Sequence, residues 1–342
     1  MGIVVQLHQK RTEFPPRSDF KTQKEHFIAF SKLETSLPLY MQPWWLDAVC
    51  NKGTWDVCLS YDSAEQIEGI LVYYQVKLKG VVSAILMPEL TPHSGIWMRI
   101  HDEHKLKLHS KYTHTKRIMD NLISQLPEVS IYTQKFYHTL SDWQPFYWRG
   151  YRGETHYTYV LEDITNITGV YDELKGSIRT DIRKAEKNLV HGECEDVELF
   201  YSLCKKSFDK QGVEPPFSLE TLTKLDNQLK VNKLRKMYVA FDLEGNPHAA
   251  LYIVYGNNSA HYLAGGSDPD KRQSGAVTLL LWKAIQDASE LGLETFDFEG
   301  SMLPSVEFAF RSFGAVQKPF FRITKYKNRF YEFLTLYFRN YR

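Results

Sequence analysis

A glycine-containing turn and two carboxylates stand close together near the end of this 342-residue chain. An apolar, strand-like segment ends in Gly265-Gly266, a charged turn follows, and a helical stretch begins at Gly275. Free backbone N–H groups and the positive end of the dipole at such a helix start suit a phosphate or a developing oxyanion. The next strand-like segment carries Asp297 and Glu299. The region therefore combines a predicted anion site with two candidate proton acceptors.

The anion site is predicted to extend over the turn and the first residues of the helix. Its backbone amides would face the donor of a transferred group, with Arg272 close to phosphates or a terminal carboxylate. The other interpretation of the glycines is ordinary turn geometry, which needs no ligand. The predicted donor-binding residues are Ala264, Gly265, Gly266, Ser267, Arg272, Gly275, Ala276 and Val277.

The two carboxylates lie in the segment ETFDFE, residues 294–299. Side chains alternate along a strand, so Asp297 and Glu299 share one face while the two phenylalanines take the other. We expect the phenylalanines to pack against a helix and the carboxylates to face a cleft. Glu299, beside Gly300, is the predicted general base. Asp297 lies deeper and has a structural role, paired with Arg311 or with a backbone N–H.

Burial beside apolar side chains raises the pKa of a carboxyl group, which suits proton removal near neutral pH. His261 and Tyr262, on the preceding strand, are the alternative catalytic residues. Glu299 also has a purely structural interpretation, in which it caps the helical turn that begins near Pro304.

A basic stripe follows the predicted helix at residues 174–189, where Lys175, Arg179, Arg183 and Lys187 recur every four positions. This spacing places them on one helix face. The stripe is either a solvated face, neutralised in part by neighbouring acids, or a site for the carboxylate or phosphate of an acceptor. The predicted acceptor-binding residues are Arg179, Arg183, Lys210, Gln211 and Arg311.

The elements that would position these residues occur twice along the chain. From Trp55 and again from Met237, the alternation and turn residues predict three strands, a helix and a further strand. Two copies of a β-β-β-α-β unit indicate two similar units of the α/β class, each with a mixed (α+β) sheet and flanking helices.

Composition excludes several classes of protein. The 42 basic and 41 acidic side chains balance, so no overall field selects a polyanionic partner. Four scattered cysteines without a CxxC pair are typical of buried, reduced thiols and predict a cytoplasmic protein. The N-terminal residues have neither a signal-peptide nor a myristoylation pattern, and no apolar run approaches the ~20 residues of a membrane span.

The C-terminal tail, residues 318–342, mixes basic and aromatic side chains. Phe330, Phe333, Leu334, Tyr337 and Tyr341 follow helical spacing, which favours a helix packed on the core. Peripheral contact with an anionic membrane and stacking on nucleic-acid bases are the alternatives.

Five histidines cluster at residues 93–114: His93, His101, His104, His109 and His114. His101 and His104 are spaced to share a helix face. No third ligand has a regular spacing, so we expect no metal. Trp44 and Trp45 are expected to be core or interdomain aromatics.

The helix start RQSGA, residues 272–276, resembles the acyl-CoA loop of the GNAT acetyltransferases, with its pattern Arg/Gln-x-x-Gly-x-Gly/Ala. Arg272 and Gly275 match, and Val277 replaces the small last residue. The duplication and the FDFEGS and FRSFGA segments resemble the FemAB-like branch, whose members carry two GNAT-like domains. The resemblance covers about residues 38–325. Bridge-forming enzymes of that branch carry a long helical arm, where residues 197–236 here predict two short helical segments.

This resemblance implies two tandem GNAT-like domains. Residues 1–25 would form an N-terminal extension, 26–165 the first domain, and 166–342 the second, with the donor loop and the basic-aromatic helix.

The implied activity is transfer of an activated acyl or aminoacyl group to an amine. The implied donor is acyl-CoA, or alternatively aminoacyl-tRNA, the one case that would involve nucleic acid. The acceptor would be a small-molecule or lipid-linked amine, such as a cell-wall precursor or a nucleotide-linked sugar. The alternative is a GNAT-like scaffold that binds such a ligand without turnover. The sequence does not specify the oligomeric state.

Overall fold

A computed structural model describes residues 15–99, 107–210 and 212–340, with the backbone alone at 336–340. Twelve strands lie within these residues: β1 (Gly53–Tyr61), β2 (Ile67–Leu78), β3 (Val82–Leu86), β4 (Ile96–Met98), β5 (Ile131–Lys135), β6 (Arg152–Leu161), β7 (Val190–Glu193), β8 (Arg235–Phe241), β9 (Pro247–Gly256), β10 (Ser259–Ser267), β11 (Thr295–Asp297) and β12 (Val316–Tyr326). His101, His104, Gln211 and Tyr341, singled out in the sequence, lie outside the described residues.

The same residues contain eleven α-helices: α1 (Gln23–Ser31), α2 (Pro43–Val49), α3 (Leu108–Ser124), α4 (Gln144–Trp148), α5 (Ile167–Glu173), α6 (Gly176–Asn188), α7 (Val197–Asp209), α8 (Leu219–Asn232), α9 (Ala276–Glu290), α10 (Pro304–Arg311) and α11 (Arg329–Asn340). Short 3₁₀ segments occur at Arg17–Asp19, Leu39–Met41 and Pro269–Ser274. The predicted pair of short helices in the second half is confirmed by α7 and α8.

The strands join into one mixed sheet, in the order β1-β2-β3-β5-β12-β6-β11-β10-β9-β8-β7, with β4 paired to β2. The predicted repeat is confirmed, because β1, β2, β3, α3 and β5 correspond in order to β8, β9, β10, α9 and β11. The strand that follows each repeat unit pairs with the other half of the chain. β6, from the first half, pairs with β11, and β12, from the second half, pairs with β5. The antiparallel β12–β6 pair therefore forms the seam between the two halves.

Helices cover both faces of the sheet. In β9, Ala250, Tyr252 and Val254 belong to a core that includes α1, α2, α7 and α8, whereas Leu251 and Ile253 belong to a core with α6 and α9. A third core packs α3 against the first half. This alternation is the period-two pattern expected of a strand that is buried on both faces.

Local sequence accounts for where several helices begin. Thr22 and Glu25 form a reciprocal capping box at the start of α1, and the side chain of Ser218 caps α8. The helix α9 has no side-chain cap. It begins instead after Gly275, whose φ of +76° is in the left-handed region that glycine adopts without strain.

The parallel β10–β11 pair is short and leaves an opening in the second half. Its last paired residues are His261 and Asp297, and β10 then continues to Ser267 without β11 beside it. A bulge between Tyr262 and Ala264 disturbs the β9 pairing at the same point. The edge of β10 is therefore unpaired beyond His261 on the side that faces β11.

The C-terminal helix α11 packs differently from the expectation that its aromatic residues are buried. Tyr331 packs on the first core, but Phe330 and Phe333 are 64% and 66% exposed. The prediction that their aromatic face is buried is therefore wrong for these two residues, since α11 touches the sheet mainly along β12.

Other expectations about buried residues hold. Trp45 lies fully inside the core, and all four cysteines are buried free thiols. Among the helices of the described residues, none has the length and apolar character that a bilayer crossing requires.

Candidate active site

The carboxylate of Glu299 is the centre of a buried polar cluster. Its Oε1 accepts hydrogen bonds from the Tyr40 hydroxyl and from His261 Nδ1, both at 2.7 Å. His93 Nε2 lies 3.5 Å from Oε2. The Glu299 side chain is 6% exposed. Tyr40 and His93 belong to the first half of the chain, so the site is assembled from both halves.

Asp297 forms a second, deeper part of this cluster. It is fully buried, and its Oδ1 accepts hydrogen bonds from Thr158 Oγ1 at 2.5 Å and from the Glu299 backbone N–H at 2.8 Å. The expected backbone N–H partner is therefore present. The expected pairing with Arg311 is not, since Arg311 pairs with Glu307 at 2.7 Å on the surface.

The backbone turns sharply at the end of β11 to present Glu299. Glu299 has a φ of +57°, in the left-handed region that costs a non-glycine residue energy, and Gly300 follows with +70°. A Cβ on Gly300 would lie 2.3 Å from the Tyr157 carbonyl oxygen on β6, so only glycine fits here. Such strain is typical of functional sites, where the surrounding fold holds a side chain in place.

Burial and neighbouring charges shift the pKa values of Asp297 and Glu299 in opposite directions. Burial and the neighbouring Glu299 charge raise the pKa of Asp297 from 3.8 to about 6. Burial also opposes the ionisation of Glu299, but His93 and His261 outweigh it and lower the pKa of Glu299 below its usual range. The raised pKa expected of Glu299 is therefore wrong, and Glu299 is an ionised carboxylate because two imidazoles surround it. The Glu299 contact outweighs burial in turn and raises the pKa of His261. Carboxyl pairs whose pKa values are pushed apart are typical of acid–base sites.

A small cavity adjoins both carboxylates. It is lined by Glu299, Asp297, Pro92, His93, Tyr137, His138, Thr158 and Phe320. Burial, followed by the His93 charge, lowers the pKa of His138 to about 4, and His138 Nε2 has no hydrogen-bond partner among the described residues. His261 and Tyr40 are not among the lining residues and bind Oε1, so Oε2, with His93 Nε2 at 3.5 Å, is the oxygen without a bond from either of them.

The cluster also has donor atoms suited to a cation. One donor atom from each of His93, His261 and Glu299 lies within 4.8 Å of the others. Two imidazoles and a carboxylate are ordinary ligands of zinc and iron. His114, another of the noted histidines, instead lies beside Glu68 at 3.7 Å. Without a cation, Oε1 accepts the hydrogen bonds from Tyr40 and His261 described above.

The alternative catalytic residues differ in position. His261 contacts Glu299 directly, as described above. Tyr262 points to the opposite face, where its ring lies 6.0 Å from that of Phe310, and burial raises the pKa of its hydroxyl. The capping interpretation of Glu299 is wrong, because α10 has no side-chain cap and Leu303 occupies its N-cap position.

The predicted donor residues line the open edge of β10 and the start of α9. Ala264, Gly265, Gly266 and Ser267 are all part of β10, so the strand continues through the two glycines. Gly266 also has a packing role, since a Cβ there would lie 2.2 Å from the Cys204 backbone nitrogen on α7. Arg272 is exposed in the 3₁₀ segment, Ala276 is buried, and Val277 packs partly on the second core.

The predicted acceptor residues do not form one site. Arg179 and Arg183 lie on α6, beside the start of α9, and donate to the carbonyl oxygens of Asp172 and Arg179. Lys210 is exposed at the end of α7, which packs on the other face of the sheet. Arg311 is on the surface of α10, and Gln211 is outside the described residues.

Sequence reasoning missed the first-half members of the cluster. Tyr40, Thr158 and Tyr137 belong to no motif, and His93 was noted only among histidines weighed as metal ligands. The local indication was the polar loop that follows the third predicted strand, where His93 stands in the segment PELTPHSG at 88–95.

The match to a protein family and the similar solved structures agree with one another. Residues 174–304 match the family described as acetyltransferase (GNAT) domain. No curated protein sequence matches the chain at a significant level. The crystal structure of FemX resembles this fold with a TM-score of 0.60 and 11% sequence identity, covering 88% of this chain and 96% of FemX.

A conserved protein of unknown function from Bacteroides thetaiotaomicron VPI-5482 is also similar, with a TM-score of 0.55 and 11% identity, over 89% of this chain and 96% of that protein. At these identities the likeness to both structures concerns the fold. It supports the predicted double GNAT-like architecture.

Proposed function

Since residues 174–304 form a GNAT acyltransferase domain within a FemX-like fold, we propose that this protein transfers an acyl group from acyl-CoA to a primary amine at Glu299. The observation that carries this proposal is the Glu299 cluster, a buried carboxylate beside the opening between β10 and β11. The acceptor we propose is an amine on a small precursor, of the cell-wall or nucleotide-linked kind.

The unpaired edge of β10 suits the acyl donor. Beyond His261 this strand offers backbone groups that are not shared with β11. The first turn of α9, which Gly275 does not cap, adds backbone N–H groups, of which that of Ala276 donates to Ser274 Oγ. Such N–H groups are suited to phosphates and to the oxyanion that forms when an amine attacks a carbonyl. Arg272 is exposed close to the same helix start and would contact the donor phosphates.

Glu299 is placed to receive the acceptor amine. Oε1 is held by Tyr40 and His261, which fix the orientation of the carboxylate, whereas Oε2 has His93 Nε2 beside it at 3.5 Å. An ammonium group entering the cavity would meet Oε2 and lose a proton to it. The neutral nitrogen then attacks the thioester carbonyl and the C–N bond forms as the C–S bond breaks. The nitrogen loses its second proton, which the departing thiolate takes up, so that an amide and free CoA thiol result. Positioning, oxyanion stabilisation and proton transfer are the contributions that this reaction requires.

The test is a thiol-release screen that combines acyl-CoA donors with amine acceptors, run beside a transfer assay with charged tRNA. Release of CoA that depends on the amine, and that is lost in a folded Glu299→Gln variant, is the expected result. Binding of acyl-CoA with no release from any combination would overturn the proposal in favour of a binding scaffold. Transfer from charged tRNA alone would overturn the choice of donor.

A further inference from the structure

Two cations face each other across the centre of the sheet. Lys135 on β5 and Arg322 on β12 are directly opposite in the antiparallel register. Residues opposite one another across a strand pair project to the same face, with their Cβ atoms about 5 Å apart. Like charges in this arrangement repel each other, so the pair is unfavourable unless an anion lies between or beside them.

The alternation of side chains along β12 shows on which face of the sheet the Lys135–Arg322 pair lies. Ile323 packs in the α3 core, so its neighbour Arg322 projects to the opposite face. Phe320, two positions away on the same strand, lies on that face and lines the cavity at Glu299. Positions two apart along a strand are separated by roughly 7 Å. The cation pair therefore lies one side chain away from the cavity proposed for the amine.

The protein itself neutralises this pair only in part. Arg322 Nη1 lies 3.5 Å from Glu154 Oε2, and Glu154 is 57% exposed, so water competes for the contact. Among the residues that the structure describes, no carboxylate forms an ion pair with Lys135. Burial and the Arg322 charge lower the pKa of Lys135, against a smaller opposing effect of the Glu299 charge. Arg322 Nε is also buried with no hydrogen-bond partner among the described residues.

We propose that Lys135 and Arg322 form an anion-binding subsite, which holds a carboxylate or phosphate of the acceptor while its amine is at Glu299. The planar guanidinium of Arg322 suits either group through paired hydrogen bonds, and Lys135 adds a point charge. This assignment rests on the proposed function, and it makes the acceptor a compact amine with an anionic group close to the reacting nitrogen. It also differs from the acceptor stripe predicted on α6.

The nearby groups on this face are compatible with such a ligand. His156 lies between Glu154 and the cavity, with its ring 5.5 Å from that of Phe320. Burial is the largest influence on His156 and lowers its pKa, which disfavours a third positive charge beside the pair. Phe320 provides an apolar wall between the anion subsite and the amine cavity.

The first experiment measures anion binding without any acyl transfer. Wild-type protein is titrated calorimetrically with inorganic pyrophosphate and, separately, with citrate, which distinguishes a phosphate site from a carboxylate site. Lys135→Gln and Arg322→Gln should each weaken binding of the preferred anion at least tenfold. Lys325→Gln is the matched control. It removes the same charge from β12, but its Nζ contacts the Arg149 carbonyl on the other face, and it should bind as the wild type does.

The second experiment uses an active donor–acceptor pair and compares an anionic amine with a neutral one. The two Gln variants should raise KM for the anionic amine about tenfold and raise KM for the neutral amine much less. Arg322→Lys should restore part of the affinity, which separates loss of charge from misfolding.

Unchanged anion binding and unchanged KM in the folded Gln variants would overturn the subsite. Loss of anion binding in the variants, with no thiol release by the wild type, would support the subsite and overturn the proposed transfer. The two proposals therefore fail in different ways.

Discussion

The hydroxyl of Tyr40 donates to Glu299 Oε1 at 2.7 Å, across a separation of 259 positions in the chain. Tyr40 belongs to the 3₁₀ segment that precedes α2, and its ring packs against Trp45 at 4.8 Å within the first core. Glu299 follows β11 in the second half. The contact therefore ties the candidate base to the packing of the other half, and the two halves must be correctly joined before the site exists.

The first prediction concerns the base. Glu299→Gln should lower kcat roughly 10²- to 10⁴-fold, the range for loss of a general base, with no change in the Kd for acyl-CoA. Glu294→Gln, an exposed change just before β11, is the control and should have wild-type kinetics. Steady-state rates measure kcat, a binding titration with acyl-CoA measures the Kd, and circular dichroism shows that the variants are folded. Full turnover by a folded Glu299→Gln enzyme would remove Glu299 from the mechanism.

The second prediction concerns Tyr40. Tyr40→Phe removes a hydrogen bond to an ionised group, so the free energy of unfolding should fall by roughly 1.5–3 kcal/mol. The fall in kcat should be smaller than that of Glu299→Gln, because His261 still holds the same oxygen. A double-mutant cycle with Glu299→Gln measures the coupling by urea denaturation. Additive effects of the two changes would show that the contact contributes nothing.

The third prediction is a pH dependence of stability at Asp297. Its pKa is raised from 3.8 to about 6 in the folded protein, first by burial and then by Glu299. A raised carboxyl pKa favours folding below about pH 4, where the group is protonated in both states, and this contribution is lost as the pH rises through 6. Relative to Asp297→Asn, the wild type should lose up to about 3 kcal/mol of unfolding free energy between pH 4 and 7.

Urea denaturation of both proteins at several pH values across this window measures that loss. Asparagine keeps an oxygen for the Thr158 and Glu299 donors, so the variant is a close match. A difference in stability that stays constant with pH would show that Asp297 does not titrate as described.

The fourth prediction concerns the donor. Arg272→Glu should raise the Kd for acyl-CoA about tenfold, since a charge-assisted hydrogen bond worth roughly 1.5–3 kcal/mol is replaced by repulsion. Lys327→Glu, an exposed reversal after β12, controls for net charge. Gly275→Asp is a poor substitute, because a side chain there would need a φ of +76° and would lie 3.1 Å from the Asp181 carbonyl. Equal affinities in both reversal variants would argue against this donor position.

The fifth prediction separates the α6 stripe from the acceptor. Asp181 and Ala185 are the α6 residues beside Gly275. Arg179 and Arg183 project from the other side of the helix and donate to the carbonyl oxygens of Asp172 and Arg179. Arg179→Glu/Arg183→Glu should therefore leave KM for the amine unchanged and change KM for acyl-CoA little. Initial rates with each substrate varied in turn test this. A selective rise in KM for the amine would return the acceptor to α6.

Much of the architecture follows from local sequence patterns. The alternation in IEGILVYYQVKL predicts a strand, and β2 covers these same residues, 67–78. The phenylalanines at 296 and 298 pack in the second core while Asp297 and Glu299 face the first-half residues, as a period of two requires. Glu299 and His261 could be named as candidates because strand order and a glycine turn place them near one another.

The remainder of the site depends on pairing between distant segments. The exchange of β6 and β12 between the halves brings Thr158 to Asp297 and sets Lys135 opposite Arg322. Tyr40 and His93 reach Glu299 only because the two halves share one sheet. Hydrophobic periodicity specifies which face of a strand is buried, but not which strand lies beside it. That choice is made by long-range packing, and it placed the acid–base cluster at the seam of the two halves.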